Sequence, residues 1–194
     1  MGRIGDWAPL AAKFPRLANF FTQSPSLAPL VKGVCGVAQA RALPAFAHTS
    51  FREQFNALHA SRRDPVQPRA VRSGEPVILW TDTFSNFFRP ETALAAVEVL
   101  EAAGCRVSLP PERLCCGRPY YDFGFLDEAR RSLGRILGSL GAAIYAGTPV
   151  IGLEPSCVAV FRDELGNLFP DDESAQRLAR QTYTLAEYLE RREW

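Results

Sequence analysis

Two adjacent cysteines backed by a glycine, Leu114-Cys115-Cys116-Gly117-Arg118-Pro119, and a third cysteine in Glu154-Pro155-Ser156-Cys157 are the residues of this chain best suited to chemistry. Thiolates are soft ligands that hold iron–sulfur clusters and zinc. An adjacent pair can serve two irons of one cluster. It suits mononuclear zinc less well, because zinc motifs separate their ligands by about two to four residues. Gly117 permits a close backbone approach beside the thiols. Cys157 stands at a predicted helix start, where the dipole favours thiolate. An iron–sulfur cluster is the leading reading, with zinc, a redox disulfide and a metal-free remnant of such a site as alternatives.

The elements around these cysteines explain how they would meet. Val77-Ile78-Leu79-Trp80, Arg106-Val107-Ser108-Leu109 and Val150-Ile151-Gly152-Leu153 are short apolar runs, the mark of buried strands. Between the first two, Pro90-Glu91 opens a helix with Leu94, Val97, Leu100 and Ala103 on one face, and Gly104 ends it. Between the second and third, a helix runs from Leu126 to Ala146 with Leu126, Ala129, Leu133, Ile136, Leu137, Leu140 and Ile144 inward. Helices are also predicted near Ser156 and over 171–180 and 184–192. Consecutive βαβ units are right-handed, so the strands are parallel and their carboxyl ends share one edge, where ligands bind. The loops leaving that edge are Thr81-Asp82-Thr83-Phe84-Ser85-Asn86, the Cys115-Cys116-Gly117 loop and Glu154-Pro155-Ser156-Cys157. The fold class is α/β, a small parallel sheet with flanking helices and an N-terminal helical extension.

That extension, residues 1–59, has Trp7, Leu10, Phe14, Leu17 and Phe21 at helical spacing despite Pro9 and Pro15. Leu27, Leu30, Val31 and Val34 follow, then Phe46, Phe51, Phe55 and Leu58. So many large apolar residues with little polar cover either pack on the main domain or dock on a partner. Residues 60–76 are rich in arginine and proline and read as a linker; residues 77–194 form the α/β domain.

The remaining composition excludes several classes. A formal net charge of +1 over 194 residues gives no global field for nucleic acid, and no nucleic-acid motif is present. No run approaches the roughly 18–20 apolar residues that span a bilayer. The start does not resemble a secretory signal, so the cytoplasm is the expected compartment and five cysteines read as thiols or ligands rather than disulfides. Cys35 and Cys105 read as small core hydrophobes. Cys105 precedes a strand and belongs at the opposite edge, roughly 10–15 Å from the site for four residues at about 3.3 Å each. His48 and His59 lie outside the sheet region, and Asp122, Asp127, Asp163 and Glu164 read as helix-end or surface charges.

Pro90-Glu91, Leu114-Cys115-Cys116-Gly117, Glu154-Pro155-Ser156-Cys157 and Arg162-Asp163-Glu164 together resemble the cysteine-rich CCG domain family of iron–sulfur oxidoreductases. That family includes the cysteine-rich subunit of heterodisulfide reductase, the iron–sulfur subunit of anaerobic glycerol-3-phosphate dehydrogenase, and the C-terminal part of FAD-linked D-lactate dehydrogenase and glycolate oxidase-type proteins. The stretch from Val77 to Leu189 is similar to the first of two tandem CCG modules. Residues 1–58 are similar to the segment that joins a ferredoxin-like domain to that module. The resemblance implies metal ligation by Cys115, Cys116 and Cys157, with Gly117, Glu154 and Pro155 shaping the site. The family's first cysteine falls on Thr83, with 31 residues between it and Cys115. A fourth bond then comes from Asp82, Thr83 or an exogenous thiol. The implied cofactor is a 4Fe-4S cluster, with FAD only on another domain or partner. The implied function is electron transfer for an oxidoreductase of 2-hydroxy acids such as lactate or glycolate, not catalysis by this chain alone. The implied partners are FAD-binding and ferredoxin-like domains or subunits, through which the chain would sit at the membrane periphery. The alternatives are a cluster-free scaffold or docking module and a thiol–disulfide redox module.

Overall fold

A computed structural model describes residues 2–61 and 74–194. Its centre is a parallel sheet of four strands, β1 (Glu75–Trp80), β2 (Cys105–Ser108), β3 (Val150–Gly152) and β4 (Thr182–Thr184), in the order β2-β1-β3-β4. The α/β reading holds. β4 was not expected: Thr182-Tyr183-Thr184 is too short to show a period between two helices, yet it pairs residue for residue with Val150-Ile151-Gly152.

Alternation along β1 divides the core into two layers. Val77 and Leu79 face a layer containing Phe51 and Phe55 of α4 (Phe51–Ser61), Ala93, Val97 and Leu100 of α6 (Pro90–Ala102), and Tyr188 of α12 (Leu185–Arg191). Ile78 and Trp80 face Leu133, Ile136, Leu140 and Ile144 of α8 (Leu126–Tyr145), together with Phe161, Leu165 and, from α11 (Glu173–Arg180), Leu178. Leu126, expected inward, is exposed at the first position of α8, ahead of the buried face that begins at Ala129. Chain direction from β1 through α6 leads to β2 on one side. From β2 through α8 it leads to β3 on the other side of β1. The carboxyl ends of β1 and β3 therefore flank the point where strand order reverses, the usual place for a ligand crevice.

The segment after β1, expected as a loop, forms the short helix α5 (Thr83–Phe87). Asp82 caps it, accepting from Phe84 N at 2.8 Å and Ser85 N at 3.0 Å. The helix expected near Ser156 starts at Pro155: α9 (Pro155–Ala159) passes through one π-helical turn, Val160–Glu164, into α10 (Leu165–Leu168).

The N-terminal extension folds as α1 (Ile4–Ala11), α2 (Pro15–Gln23) and α3 (Ala28–Val34) before α4. Pro15 at the first position of α2 separates it from α1. Small residues face inward: Ala8, Ala11, Ala12 and Ala18 pack on Phe46, Phe87 and Phe88. Asn19 fixes α2 by exchanging hydrogen bonds with the Phe46 backbone, at 2.8 and 2.7 Å. The extension thus does pack on the main domain, but the expected stripe Trp7, Leu10, Phe14, Leu17 and Phe21 lies on the exposed side. The stretch 60–76 read as a linker falls largely outside the described residues. Its described ends belong to α4 and β1.

Candidate metal centre

The three loops meet at the carboxyl edge. One cavity of about 280 Å³ is lined by Asp82, Thr83, Cys115, Cys116, Glu154 and Cys157, with Ile4, Phe84 and residues of α7 (Arg118–Asp122) completing the wall. A single water occupies about 10–15 Å³ on the same measure, so the space exceeds what one ion fills. Among the described residues no group of three or more His, Cys, Asp or Glu side chains is arranged to hold a single metal ion.

Cys116 and Cys157 are buried and their sulfurs lie 3.1 Å apart, a thiol–thiol contact across 41 residues of chain. Cys115 is half-buried beside them. Gly117 takes the left-handed conformation, φ 85°, and caps α7. This turn brings its own N–H to the Cys115 thiol and that of Arg118 to the Cys116 thiol, each of which favours thiolate. The opposing effects win. The hydrogen bond from Cys115 to Cys116, then burial, raises Cys115 far above the ordinary thiol range. Cys116 is eased down by Cys115 but raised more by its hydrogen bond to Cys157 and by burial. Without a metal both are neutral thiols near pH 7. Ser132 holds the loop by donating to the Cys115 carbonyl at 2.7 Å.

Asp82 is buried and engaged: one carboxylate oxygen caps α5 and the other accepts from the Ser85 hydroxyl. It is a positioning residue for Thr83, which begins α5 and lines the cavity. Glu154 caps α9 through Ser156 N at 3.2 Å and the Ser156 hydroxyl at 3.0 Å, while Pro155 sits at the first helical position. Both shape the turn that presents Cys157.

Comparison with known proteins gives partial matches. The chain is similar to proteins named "Lactate utilization protein A": 34% identical to that of Bacillus velezensis over 117 residues, covering 58% of this chain and 47% of the relative. The Geobacillus kaustophilus and Bacillus subtilis proteins of that name are 33% and 32% identical over the same extents. The chain spans about half the length of these curated relatives. No family model matches the chain. No solved structure matches it significantly.

Several residues at the site were not legible beforehand. Glu164, read as a surface charge, is carried inward by the π-helical turn and pairs with Arg118, which also binds Asp122 at 2.9 Å. Its other oxygen is buried without a partner. The four-residue spacing of Arg118 and Asp122 was a visible cue. α1 covers the loop from outside: a Cβ on Gly5 would lie 2.9 Å from the Cys115 sulfur, and Tyr120 donates to Asp6 at 2.5 Å. Burial and that bond raise the Tyr120 phenol. Trp80, packed in the same layer as Cys116 and Cys157, carries a buried indole N–H with no hydrogen-bond partner among the described residues. Cys105 opens β2 at the opposite edge and is buried 3.7 Å from the Tyr188 hydroxyl. Cys35 is a correction: it caps the end of α3 and is exposed, not part of the core. His48 is exposed and His59 stacks on Phe55 at 3.9 Å, and neither lines the cysteine cavity.

Proposed function

We propose that the chain is an iron–sulfur electron-transfer module of a system that oxidises lactate or a similar 2-hydroxy acid. The observation that carries the reading is the convergence of Cys115, Cys116, Cys157 and Thr83 on one cavity at the carboxyl edge of the sheet. The similarity to "Lactate utilization protein A" supplies the substrate class. In this reading the three cysteines hold a 4Fe-4S cluster, which supplies one-electron transfer when bound. The N–H groups of Gly117 and Arg118 face the ligand sulfurs and stabilise their charge. Asp82 and Glu154 hold the two flanking turns. Hydride chemistry falls to a flavin-binding partner, with a ferredoxin-like domain between the two. The cluster ligands titrate on binding, so loading releases protons.

The test is iron and sulfide content with a visible spectrum on chain reconstituted without oxygen. The expected result is near four irons per chain by analogy to the cluster type, lost in Cys116→Ser. Absence of iron after reconstitution of a folded chain would overturn the reading.

The 3.1 Å contact between Cys116 and Cys157 favours one second reading, a thiol–disulfide module. A low-molecular-weight disulfide would accept two electrons and two protons from this pair. Two small thiols would leave and one S–S bond would form. A chain that takes up no iron but loses two titratable thiols on treatment with oxidised glutathione would favour it. The wild-type thiol count surviving that treatment would exclude it.

A further inference from the structure

The N-terminal helices are patterned in reverse of a packed helix. Alanines face the domain, and Trp7, Leu10, Phe14, Leu17, Phe20 and Phe21 face out, at 41, 63, 68, 57, 61 and 45% exposure. Scattered apolar residues on a surface are ordinary, but six in fifteen consecutive residues, four of them aromatic, are not. The charge pattern is equally one-sided. Residues 7–52 contain no Asp or Glu, while Lys13, Arg16, Lys32 and Arg41 are spread through the helices and the turn after them. The acid just before this run, Asp6, accepts from the Tyr120 hydroxyl at 2.5 Å. Lys13, Arg16 and Arg41 make no ion pair among the described residues.

We propose that the outer face of α1 and α2 is a peripheral membrane-docking surface that takes the headgroup–acyl boundary of a bilayer rich in anionic phospholipid. Aromatic and leucine side chains enter that boundary, and interleaved cations meet lipid phosphates. Tryptophan and phenylalanine are suited to this depth. No described helix is long and apolar enough to cross a membrane, so the helices lie in the plane of the surface. A second copy of the chain fits worse. A two-fold interface would pair two copies of a face that carries Lys13 and Arg16 and to which residues 7–52 supply no carboxylate. The inference stands independently of any cluster. It does set the cysteine loop near the bilayer, because the inner side of α1 touches Cys115 and a helix with its side chains is about 10–12 Å across.

The test is flotation of the full chain with two vesicle types, phosphatidylglycerol mixed equally with phosphatidylcholine, and phosphatidylcholine alone. The expected result is binding to the anionic vesicles only, released by high salt. The double variant Lys13→Gln/Arg16→Gln should lower partition by about 25-fold, at roughly fivefold per cation near the surface. The variant Leu17→Glu/Phe20→Glu should abolish binding. All four substituted side chains are exposed, and an unchanged far-ultraviolet spectrum and thermal midpoint confirm that the variants fold. Wild-type chain that ignores the anionic vesicles at low salt would overturn the proposal. So would equal binding to both vesicle types that the cation variant leaves intact. A dimer in solution that Leu17→Glu dissociates, without vesicle binding, would give the face to a second copy instead.

Discussion

Gly117→Ala probes whether backbone conformation, rather than sequence proximity, brings the thiols together. Gly117 holds φ at 85°, a region where an L residue costs roughly 1–2 kcal/mol. An added Cβ would meet its nearest atoms, in Ala129 and Ser132, at 3.5 Å, which is ordinary contact, so no clash adds to that figure. Stiffening of the unfolded chain by alanine is a further cost of about 0.4–1 kcal/mol avoided on folding, which offsets part of it. The net loss is therefore about 1 kcal/mol, a fall of about 2–4 °C in midpoint for a chain of this size. Gly124→Ala is the matched control: its φ is 77° and no atom lies within 4 Å of an added Cβ. Both variants should lose similar stability in thermal unfolding of the metal-free chain. Only Gly117→Ala should also lose iron on reconstitution, because its turn aims two N–H groups at the sulfurs. A Gly117→Ala chain within about 0.5 kcal/mol of wild type, the range of an inert surface change, and loading iron normally would refute the reasoning.

Other expectations follow from the same geometry. Gly5→Ala places a Cβ 2.9 Å from the Cys115 sulfur, so either the Cys115 side chain or α1 must shift; destabilisation of about 1–3 kcal/mol and altered alkylation of Cys115 are expected by unfolding and mass spectrometry. Thr83→Cys adds a fourth thiol to the cavity wall and should slow loss of the visible chromophore in air; an unchanged decay rate would count against Thr83 as the fourth position. In the metal-free folded chain at neutral pH, iodoacetamide should modify exposed Cys35 first and Cys116 among the last, since Cys116 is buried and its thiol is held well above the ordinary range. Hydrogen bonds from Arg162, at 3.0 and 2.6 Å, lower Glu187 to about 2. A depressed carboxylate stabilises above its unfolded pKa of about 4.3, and this contribution fades as pH falls toward about 2. Arg162→Met should flatten the thermal midpoint over that window.

The sheet and its direction were legible because buried parallel strands are continuous apolar runs bounded by turn residues, as in Val77-Ile78-Leu79-Trp80. Topology then predicted that Cys116 and Cys157 meet, and their sulfurs are in contact. What was hidden depends on tertiary context. Thr182-Tyr183-Thr184 is a strand only because β3 offers it an open edge. Leu17 and Phe20 carry a helical period that reads the same whether the apolar side is covered or exposed, and the inward alanines give a weaker signal than the outward aromatics. Glu164 is indistinguishable by type from Asp163, and only the extra residue of the π-helical turn sends it toward Arg118.

For the proposed cluster, the same distinction between residue type and engagement decides which oxygen would join the three sulfurs. By type alone Asp82 is a better metal ligand than Thr83. In the fold both carboxylate oxygens of Asp82 are committed, to Phe84 N, Ser85 N and the Ser85 hydroxyl. Asp82 lines the cavity, but freeing it for a metal would release the cap on the first turn of α5 and shift Thr83 with it. Glu154 accepts twice from Ser156 through one carboxylate oxygen, and turning it would loosen the start of α9 that presents Cys157. Thr83 caps nothing and begins α5 on the cavity wall. The two acids therefore act on the site through the turns they hold. If the proposed cluster binds, the position left for a fourth bond is that of Thr83, whose hydroxyl lines the same cavity as the three thiols and is a much harder donor than any of them.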